Sequence, residues 1–408
     1  MAERDVDYLL IGGGMAAANC ARWLREEGAD GSVMLVGREP EPPYNRPPLT
    51  KGYLRGKESR ADSLFRPDEW WGEQQIELVT RTSVMKLDPG SRSAKLSNGD
   101  ELRFGKALLA TGANVRRVRV DGCDLEGIHY VRTFGNSDAI RADAQNAERI
   151  VMIGGSYIGS EVAASLTDLG HDCAMVMMEG VVLDRFYGEE VGGYFQGVLE
   201  EHGVDVYGSE ELDRFEGSDG RVRKVILKSG RELECDMVVI GIGVVPDVML
   251  AKQAGLELGE NGGVKCSSRL ETSAPGIYAA GDICEYDSVI HGAPLRVEHW
   301  DAAFNQGKTA AFNMLGRDVP HDEVPYFFSD LADWTGMEYV GPGSGDLAVR
   351  GSLDQGDFTA FWLGDRIVKA AMTVGRSDDL DHARRFIKEK TPVDTGALTD
   401  ESTDLGSL

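Results

Sequence analysis

Asp5-Val6-Asp7-Tyr8-Leu9-Leu10-Ile11-Gly12-Gly13-Gly14-Met15-Ala16-Ala17-Ala18 is an apolar strand that ends in a glycine cluster. It passes straight into a helix-forming stretch, Asn19-Cys20-Ala21-Arg22-Trp23-Leu24. Strand, glycine turn and helix are the parts of a dinucleotide site. Gly12 allows the tight turn, Gly14 lets backbone N–H groups approach a pyrophosphate, and Ala17 lets the helix pack closely on the strand. The phosphates then sit at the positive N-terminus of that helix. Taken alone the match is weak, because glycine-rich strand ends are common. It gains weight from a second copy of the turn later in the chain.

Arg149-Ile150-Val151-Met152-Ile153-Gly154-Gly155-Ser156-Tyr157-Ile158-Gly159-Ser160-Glu161 runs into Val162-Ala163-Ala164-Ser165-Leu166. Gly154 and Gly159 fill the first and last positions of G-x-G-x-x-G, and Ile158 lies between them. Ser156 holds the middle position, where its hydroxyl can reach a phosphate but its Cβ narrows the approach. Each turn is succeeded by a strand with an acid near its end. Arg38 and Glu39 compete for that place after the first turn, and Glu39 is the better acceptor. Glu179 holds it after the second and suits a ribose 2′-hydroxyl, which favours NADH over NADPH. Arg185, six residues on, blunts that preference.

Both units close alike. Turns at Asp88-Pro89-Gly90-Ser91 and Ser97-Asn98-Gly99-Asp100 separate strands in the first, and the Asn-Gly pair marks a hairpin. Ala107–Ala113 reads as a buried strand ending in Thr111-Gly112. In the second unit, turns at 217–220 and 229–230 precede the buried strand Met237–Gly243. Pro42, Pro43, Pro47 and Pro48 predict an extended segment carrying Arg46 and Lys51, two cations suited to a phosphate-bearing cofactor. A plain proline-rich loop would show the same composition. Later, an apolar strand ends in Ala280-Gly281-Asp282, where the carboxylate can accept hydrogen bonds from a polyol. After Pro320 the pattern turns β-rich, with strands near 338–340, 348–352, 358–363 and 367–374. A last amphipathic helix is expected over Leu380–Glu389, then an acidic, frayed tail from Pro392.

At 408 residues, two or three domains are expected. No run approaches the roughly 20 apolar residues of a membrane span. No signal peptide is visible, so a cytoplasmic location is expected. The net charge of −25 argues against nucleic acid and anionic membranes. The six cysteines, Cys20, Cys123, Cys173, Cys235, Cys266 and Cys284, form no C-x-x-C. They signal neither a redox disulfide nor a zinc site, and no metal is expected.

With these stretches in this order, the chain resembles the FAD-dependent NAD(P)H oxidoreductases of glutathione-reductase-like fold. The branch is that of the oxygenase-coupled ferredoxin reductases, monodehydroascorbate reductase and apoptosis-inducing factor. The resemblance is carried by Gly12–Ala17, Pro43–Lys51, Ala110-Thr111-Gly112, Gly154–Glu161, Gly241–Pro246, Ala280-Gly281-Asp282 and Phe327-Phe328-Ser329-Asp330. It implies an α/β chain of two nested Rossmann-like dinucleotide-binding domains plus a C-terminal α+β domain. The implied boundaries are 1–115 and 247–324 for the FAD domain, 116–246 for the NAD(P)H domain, 325–391 for the C-terminal domain and 392–408 for the tail.

The resemblance further implies roles. Arg46, Lys51, the backbone at Val84, Arg132 and Asp282 would hold FAD, with Glu39 serving the ribose in place of Arg38. Glu179, Arg185 and Gly243 would hold NADH. Glu298 and His299 would lie near the flavin and nicotinamide. Phe328 stands where many relatives carry Trp. Lys51 and Glu161 would form a catalytic ion pair beside flavin N5. No cysteine pair lies near the first helix, so electrons should leave directly from the flavin to a [2Fe-2S] ferredoxin. Docking could use Arg116-Arg117-Val118-Arg119, or Arg384-Arg385 with Lys388 and Lys390. A small acceptor (quinone, monodehydroascorbate-like radical or oxygen) is the alternative, as is a redox-sensing interaction protein.

Overall fold

The computed structural model describes residues 4–408, which divide into two compact units. One comprises residues up to Asn45, Ala61–Asn114 and Val245–Phe327; the other comprises Arg46–Arg60, Val115–Val244 and Phe328–Leu408. The short proline-rich piece from Arg46 therefore belongs with the second unit. No helix among the described residues is long and apolar enough to cross a membrane.

The first unit is built on a sheet in the order Ile76–Val79, Val33–Val36, Arg4–Ile11, Glu101–Leu109. These strands are parallel, and Val33–Val36 is buried at every position. Near-continuous apolar strands are what a parallel sheet covered on both faces requires. Glu101–Leu109 is long enough to serve two partners on its outer side. Its start pairs antiparallel with Ser93–Leu96, and its end pairs parallel with Ile277–Ala279. The ends of three strands therefore lie side by side: Ile11, Leu109 and Ala279. The Gly12 turn and Asp282 come directly after the two outer ones.

Helix Met15–Glu26 packs on helix Trp300–Met314. A Cβ on Gly307 would lie 2.4 Å from the carbonyl oxygen of Ala16, so only glycine permits this approach. Asn19 Nδ2 donates to the Phe304 carbonyl at 2.7 Å, and the Gly281 N–H donates to Gln306 Oε1 at 2.8 Å. These bonds fix the Ala280-Gly281-Asp282 turn relative to both helices.

The second unit holds a parallel sheet in the order Asp205–Tyr207, Asp172–Val176, Arg149–Ile153, Met237–Ile240, Ile128–Tyr130. Strand order reverses between Arg149–Ile153 and Met237–Ile240, the switch point at which such sheets open a crevice. A three-stranded antiparallel meander, Leu212–Ser218, Arg221–Leu227 and Glu232–Glu234, packs beside it. The C-terminal sheet runs Tyr326–Leu331, Thr335–Val340, Ile367–Val374, Asp357–Gly364, Asp346–Ser352. Helix Ser377–Glu389 buries Leu380, Ala383, Phe386 and Ile387.

Two expectations do not hold. Pro47–Thr50 forms a 3-10 helix with prolines at its first two positions, not an extended run. Proline's fixed φ and missing N–H suit a helix start as well as an extended strand. The segment from Pro392 is not frayed. It contains helix Thr395–Thr399 and a 3-10 turn at Leu405–Ser407, and it buries Leu398 and Leu405. Asp394 and Asp404 cap these elements, accepting from the Ala397 and Gly406 N–H groups. Two of the acids that suggested disorder are capping residues.

Candidate functional site

In the first unit the glycine turn has one residue whose identity the chain explains and one it does not. Gly12 has φ +134°, and a Cβ there would lie 2.0 Å from the Ala110 carbonyl oxygen. Gly14 has an ordinary φ of −96°, and nothing lies within 4 Å of where its Cβ would stand. Neither strain nor crowding inside the chain requires glycine at 14. Gly14 caps helix Met15–Glu26 with no side-chain hydrogen bond, so the helix start presents bare N–H groups. A cleared space before uncapped amides fits a pyrophosphate. Ala17 is fully buried beneath it.

Glu39 stands just past strand Val33–Val36 and accepts from the Tyr44 hydroxyl at 2.5 Å. Arg38 turns elsewhere, donating to Asp247 at 3.0 Å and Asn114 at 2.7 Å. Val84 opens strand Val84–Asp88 in register with Leu96. Glu298 is exposed and paired with Arg296, whose guanidinium also donates to the Asp282 carbonyl at 3.1 Å. His299 packs its ring 4.5 Å from that of Phe327. Burial pushes its imidazole down to about 4, against a smaller opposing pull from Asp282. It is therefore neutral at physiological pH. Its Nδ1 is sealed from solvent with no hydrogen-bond partner among the described residues. An orphaned buried ring nitrogen fits a site that takes a polar group.

The second turn has the same plan. Gly154 has φ +112°, and its Cβ would lie 2.5 Å from the Gly241 carbonyl oxygen. Gly159 lets the helix approach: a Cβ there would lie 2.2 Å from the Gly154 carbonyl oxygen. Ser156 opens helix Tyr157–Asp168 and spends its hydroxyl on the Gly241 carbonyl at 2.7 Å, bracing the turn rather than facing outward. Ile158 is exposed on the first turn of the helix. Glu179 lies past the end of strand Asp172–Val176, and its carboxylate has no partner among the described residues. Arg185 lies exposed in the short helix Asp184–Tyr187. Gly243, at φ +89°, has open space where a Cβ would stand, and its carbonyl accepts from the Arg116 N–H at 2.9 Å.

Helix Tyr157–Asp168 carries a buried polar cluster. Lys51 Nζ donates to Glu161 Oε1 at 2.7 Å, with side chains only 12% and 4% exposed. Ser329 Oγ donates to the same oxygen at 2.6 Å, and Thr50 Oγ1 donates to Oε2. One turn on, Ser165 Oγ donates to the Thr50 carbonyl at 2.6 Å. Ser137 Oγ holds the Leu49 carbonyl at 2.9 Å. Arg46 donates to the carbonyl of Arg132. Arg55 bridges Asp168 and Asp333 at 3.1 and 3.0 Å. Lys51 Nζ lies 5.3 Å from the centroid of the Phe328 ring, a cation–π distance. Thr50, Ser165 and Ser329 draw no role from the sequence. Thr50 and Ser329 lie inside stretches that carry the resemblance, but no local spacing points either at Glu161.

The two basic clusters differ. Arg116, Arg117 and Arg119 are without ion pairs among the described residues, and Arg117 lies 5.0 Å over the Tyr130 ring. Arg384 pairs with Asp381 at 3.1 Å, and Arg385 donates to the carbonyls of Leu405 and Leu408. All six cysteines are free, and five are buried.

Two nucleotide-type turns, each at the crest of its own parallel sheet, define a two-dinucleotide oxidoreductase. Residues 6–307 match the family model described as pyridine nucleotide-disulphide oxidoreductase, and residues 326–408 match the reductase C-terminal model. The chain belongs to the pyridine nucleotide-disulphide oxidoreductase family. It is similar to the 5,5'-dehydrodivanillate O-demethylase ferredoxin reductase subunit of Sphingobium sp., with 34% identity over 98% of both chains. It is 32% identical to putidaredoxin reductase CamA of Pseudomonas putida, over 98% of this chain and 96% of that one. Among solved structures, the ferredoxin reductase for the CYP199A2 system from Rhodopseudomonas palustris superposes with a TM-score of 0.94. That match has 30% identity and covers 98% of this chain and 99% of the other. A covalent putidaredoxin reductase–putidaredoxin complex gives a TM-score of 0.93 at 31% identity, covering 99% and 98%. The chain is an FAD-dependent NAD(P)H oxidoreductase of the ferredoxin reductase type, in the glutathione-reductase-like fold with a C-terminal antiparallel sheet.

Proposed function

We propose that this enzyme takes hydride from NADH and delivers electrons singly to a [2Fe-2S] ferredoxin. The observation that carries the hydride half is the buried Lys51–Glu161 pair, held on the helix that starts at the second glycine turn. When bound, FAD would supply the chemistry of two-electron uptake from a nicotinamide and one-electron release. Gly12, Gly14, Ala17, Glu39, Arg46, Lys51, the Val84 backbone, Arg132 and Asp282 hold it. Gly154, Ser156, Ile158, Gly159, Glu179, Arg185 and Gly243 hold NADH, with Glu298, His299 and Phe328 beside the reacting rings. Lys51 stabilises negative charge that develops on the flavin, and Glu161 orients Lys51 and the carboxamide. On this reading residues 1–115 and 247–324 are the FAD domain, 116–246 the NADH domain and 325–391 the C-terminal domain, onto which the folded 392–408 segment packs.

The unpartnered Glu179 carboxylate supports NADH, since it can accept from a ribose 2′-hydroxyl and repels a 2′-phosphate. Comparing kcat/KM for NADH and NADPH tests this, and equal values would remove the assignment. The ferredoxin half is supported by full-length relatives named for ferredoxin reduction and by a solved reductase–putidaredoxin complex. Of the two basic clusters, Arg116-Arg117-Arg119 is the one left without ion pairs among the described residues. An acceptor panel with NADH decides between a ferredoxin and a quinone or radical. Ferredoxin reduction should weaken as ionic strength rises. Activity confined to small acceptors would replace this half.

A further inference from the structure

Glu161 Oε1 receives two donors from distant parts of the chain. Lys51 Nζ approaches at 2.7 Å and Ser329 Oγ at 2.6 Å. Ser329 is buried in the C-terminal strand Tyr326–Leu331, between Phe328, whose ring faces Lys51, and Asp330. Thr50 Oγ1 takes the other carboxylate oxygen, and Ser165 fastens the Thr50 carbonyl to the same helix. Glu161 is 3% exposed, so the hydrogen bonds to its carboxylate come from protein and not from bulk water.

We infer that Ser329 is a positioning residue for the hydride-transfer pair, using its hydroxyl to fix the Glu161 carboxylate in place against Lys51. This deepens the assignment of Lys51 and Glu161 to flavin reduction and rests on it. A carboxylate in a dry site keeps its charge only if donors replace the lost water. Lys51 alone supplies one donor on one oxygen. Two hydroxyls supply the others without adding a competing charge. A hydroxyl also leaves the Lys51 ammonium its remaining protons for a ligand. The C-terminal sheet therefore contributes directly to the electrostatics of the pair.

The charged and titratable groups around this carboxylate are few. Lys51 faces it from just past the Pro47–Thr50 turn, Tyr157 from its own helix and Asp330 from the C-terminal strand. Arg55 and Glu338 act on Asp330 in turn. Burial raises the Asp330 carboxyl above its usual range, while Lys51 pulls it down. Asp330 is thus a further acid beside the pair, and its own contribution to a pH profile must be separated out.

The test uses FAD-loaded enzyme and records flavin reduction by NADH against pH in stopped flow. In Ser329→Ala the anion loses a donor and takes up a proton more readily. The acid limb of the profile should move up by about one pH unit, since a hydrogen bond to a charged group is worth roughly a power of ten or more. Ser329→Thr keeps the hydroxyl and should restore the wild-type limb, which a packing defect would not. Asp330→Asn should leave the Ser329-dependent shift in place. Infrared difference spectra should show the protonated carboxyl band of Glu161 at higher pH in Ser329→Ala, absent when Glu161→Gln is added. If Ser329→Ala does not fold with FAD, Ser329→Cys keeps the side-chain size, replaces the hydroxyl by a much weaker donor and should shift the limb in the same direction. Coincident acid limbs in wild type and in the variant that folds overturn the inference. Lys51→Met separates the two levels: if it reduces flavin at the wild-type rate, the assignment of the pair to hydride transfer fails instead.

Discussion

Lys51 and Glu161 lie 110 positions apart in sequence and meet at 2.7 Å, with almost no solvent on either side chain. An exposed pair of this kind would contribute little. A buried pair differs, because removing one partner strands the other's charge in a medium that solvates it poorly. The two residues are therefore coupled in stability as well as in chemistry.

Lys51→Met should slow flavin reduction about tenfold or more, since each ~1.4 kcal/mol of lost transition-state stabilisation is tenfold. It should also lower stability by about 3–5 kcal/mol, the cost of leaving a buried charge without its partner. Lys51→Met with Glu161→Gln should recover much of that stability and none of the rate. Stopped-flow reduction and chemical denaturation of the three proteins check this. A double variant no more stable than the single one would show that the two charges are not coupled.

The two glycines of the opening turn should fail differently. Gly12→Ala forces a Cβ onto the Ala110 carbonyl in a backbone conformation that side chains avoid, so the domain should not fold. Gly14→Ala meets nothing in the chain. Its apoprotein should melt within about a degree or two of wild type, yet FAD affinity should fall at least about tenfold as the methyl enters the pyrophosphate space. Flavin retention on desalting and fluorescence titration of the apoprotein measure this. Unchanged affinity in Gly14→Ala would place the cofactor elsewhere.

What the residues announce and what they conceal depends on the range of the interactions. The turns at Gly12–Ala17 and Gly154–Gly159 are legible because strand, turn and helix write their needs within a dozen residues. The placing of Glu39 and Glu179 just past their strands is legible because a parallel strand ends at a predictable distance from its turn. The Lys51–Glu161 pair is reached only through resemblance, since no local pattern joins them. Ser329 is invisible in the sequence as a partner of Glu161, because three separate segments must fold before it arrives. Arg350, in strand Asp346–Ser352, is buried, and nothing near it in the sequence announces the distant carbonyls it serves.

Stability should also depend on pH through His321. Burial pushes this imidazole down to about 4, with its Nδ1 3.0 Å from the Thr309 hydroxyl. Unfolded, it takes a proton near its ordinary value of about 6.5. Between these values the unfolded chain binds more protons, so stability rises with pH across that window. The contribution is complete above about 6.5 and is lost as pH falls towards 4, in total at most about 3 kcal/mol. His321→Gln should unfold with a shallower dependence over that window. Denaturation curves collected from about pH 4 to 7 test it, and parallel profiles for the two proteins would exclude His321 as the source.

Arg350 should be the clasp of the C-terminal segment. Its guanidinium donates to the carbonyls of Asp400 at 2.6 Å and Thr403 at 3.0 Å, with longer bonds to Leu398 and Glu401. Asp379 lies 3.6 Å from its Nε, so the buried charge has a carboxylate nearby but spends its hydrogen bonds on main chain. A planar fork can serve several carbonyls at fixed spacing, whereas an ammonium cannot. Arg350→Ala should therefore release residues 395–408, freeing Leu398 and Leu405, at a cost of about 3 kcal/mol. Arg350→Lys should recover little of it. Limited proteolysis read by mass spectrometry should show cleavage in this segment in both variants and none in wild type. A segment equally protected in all three would mean that Leu398 and Leu405 hold it without the guanidinium.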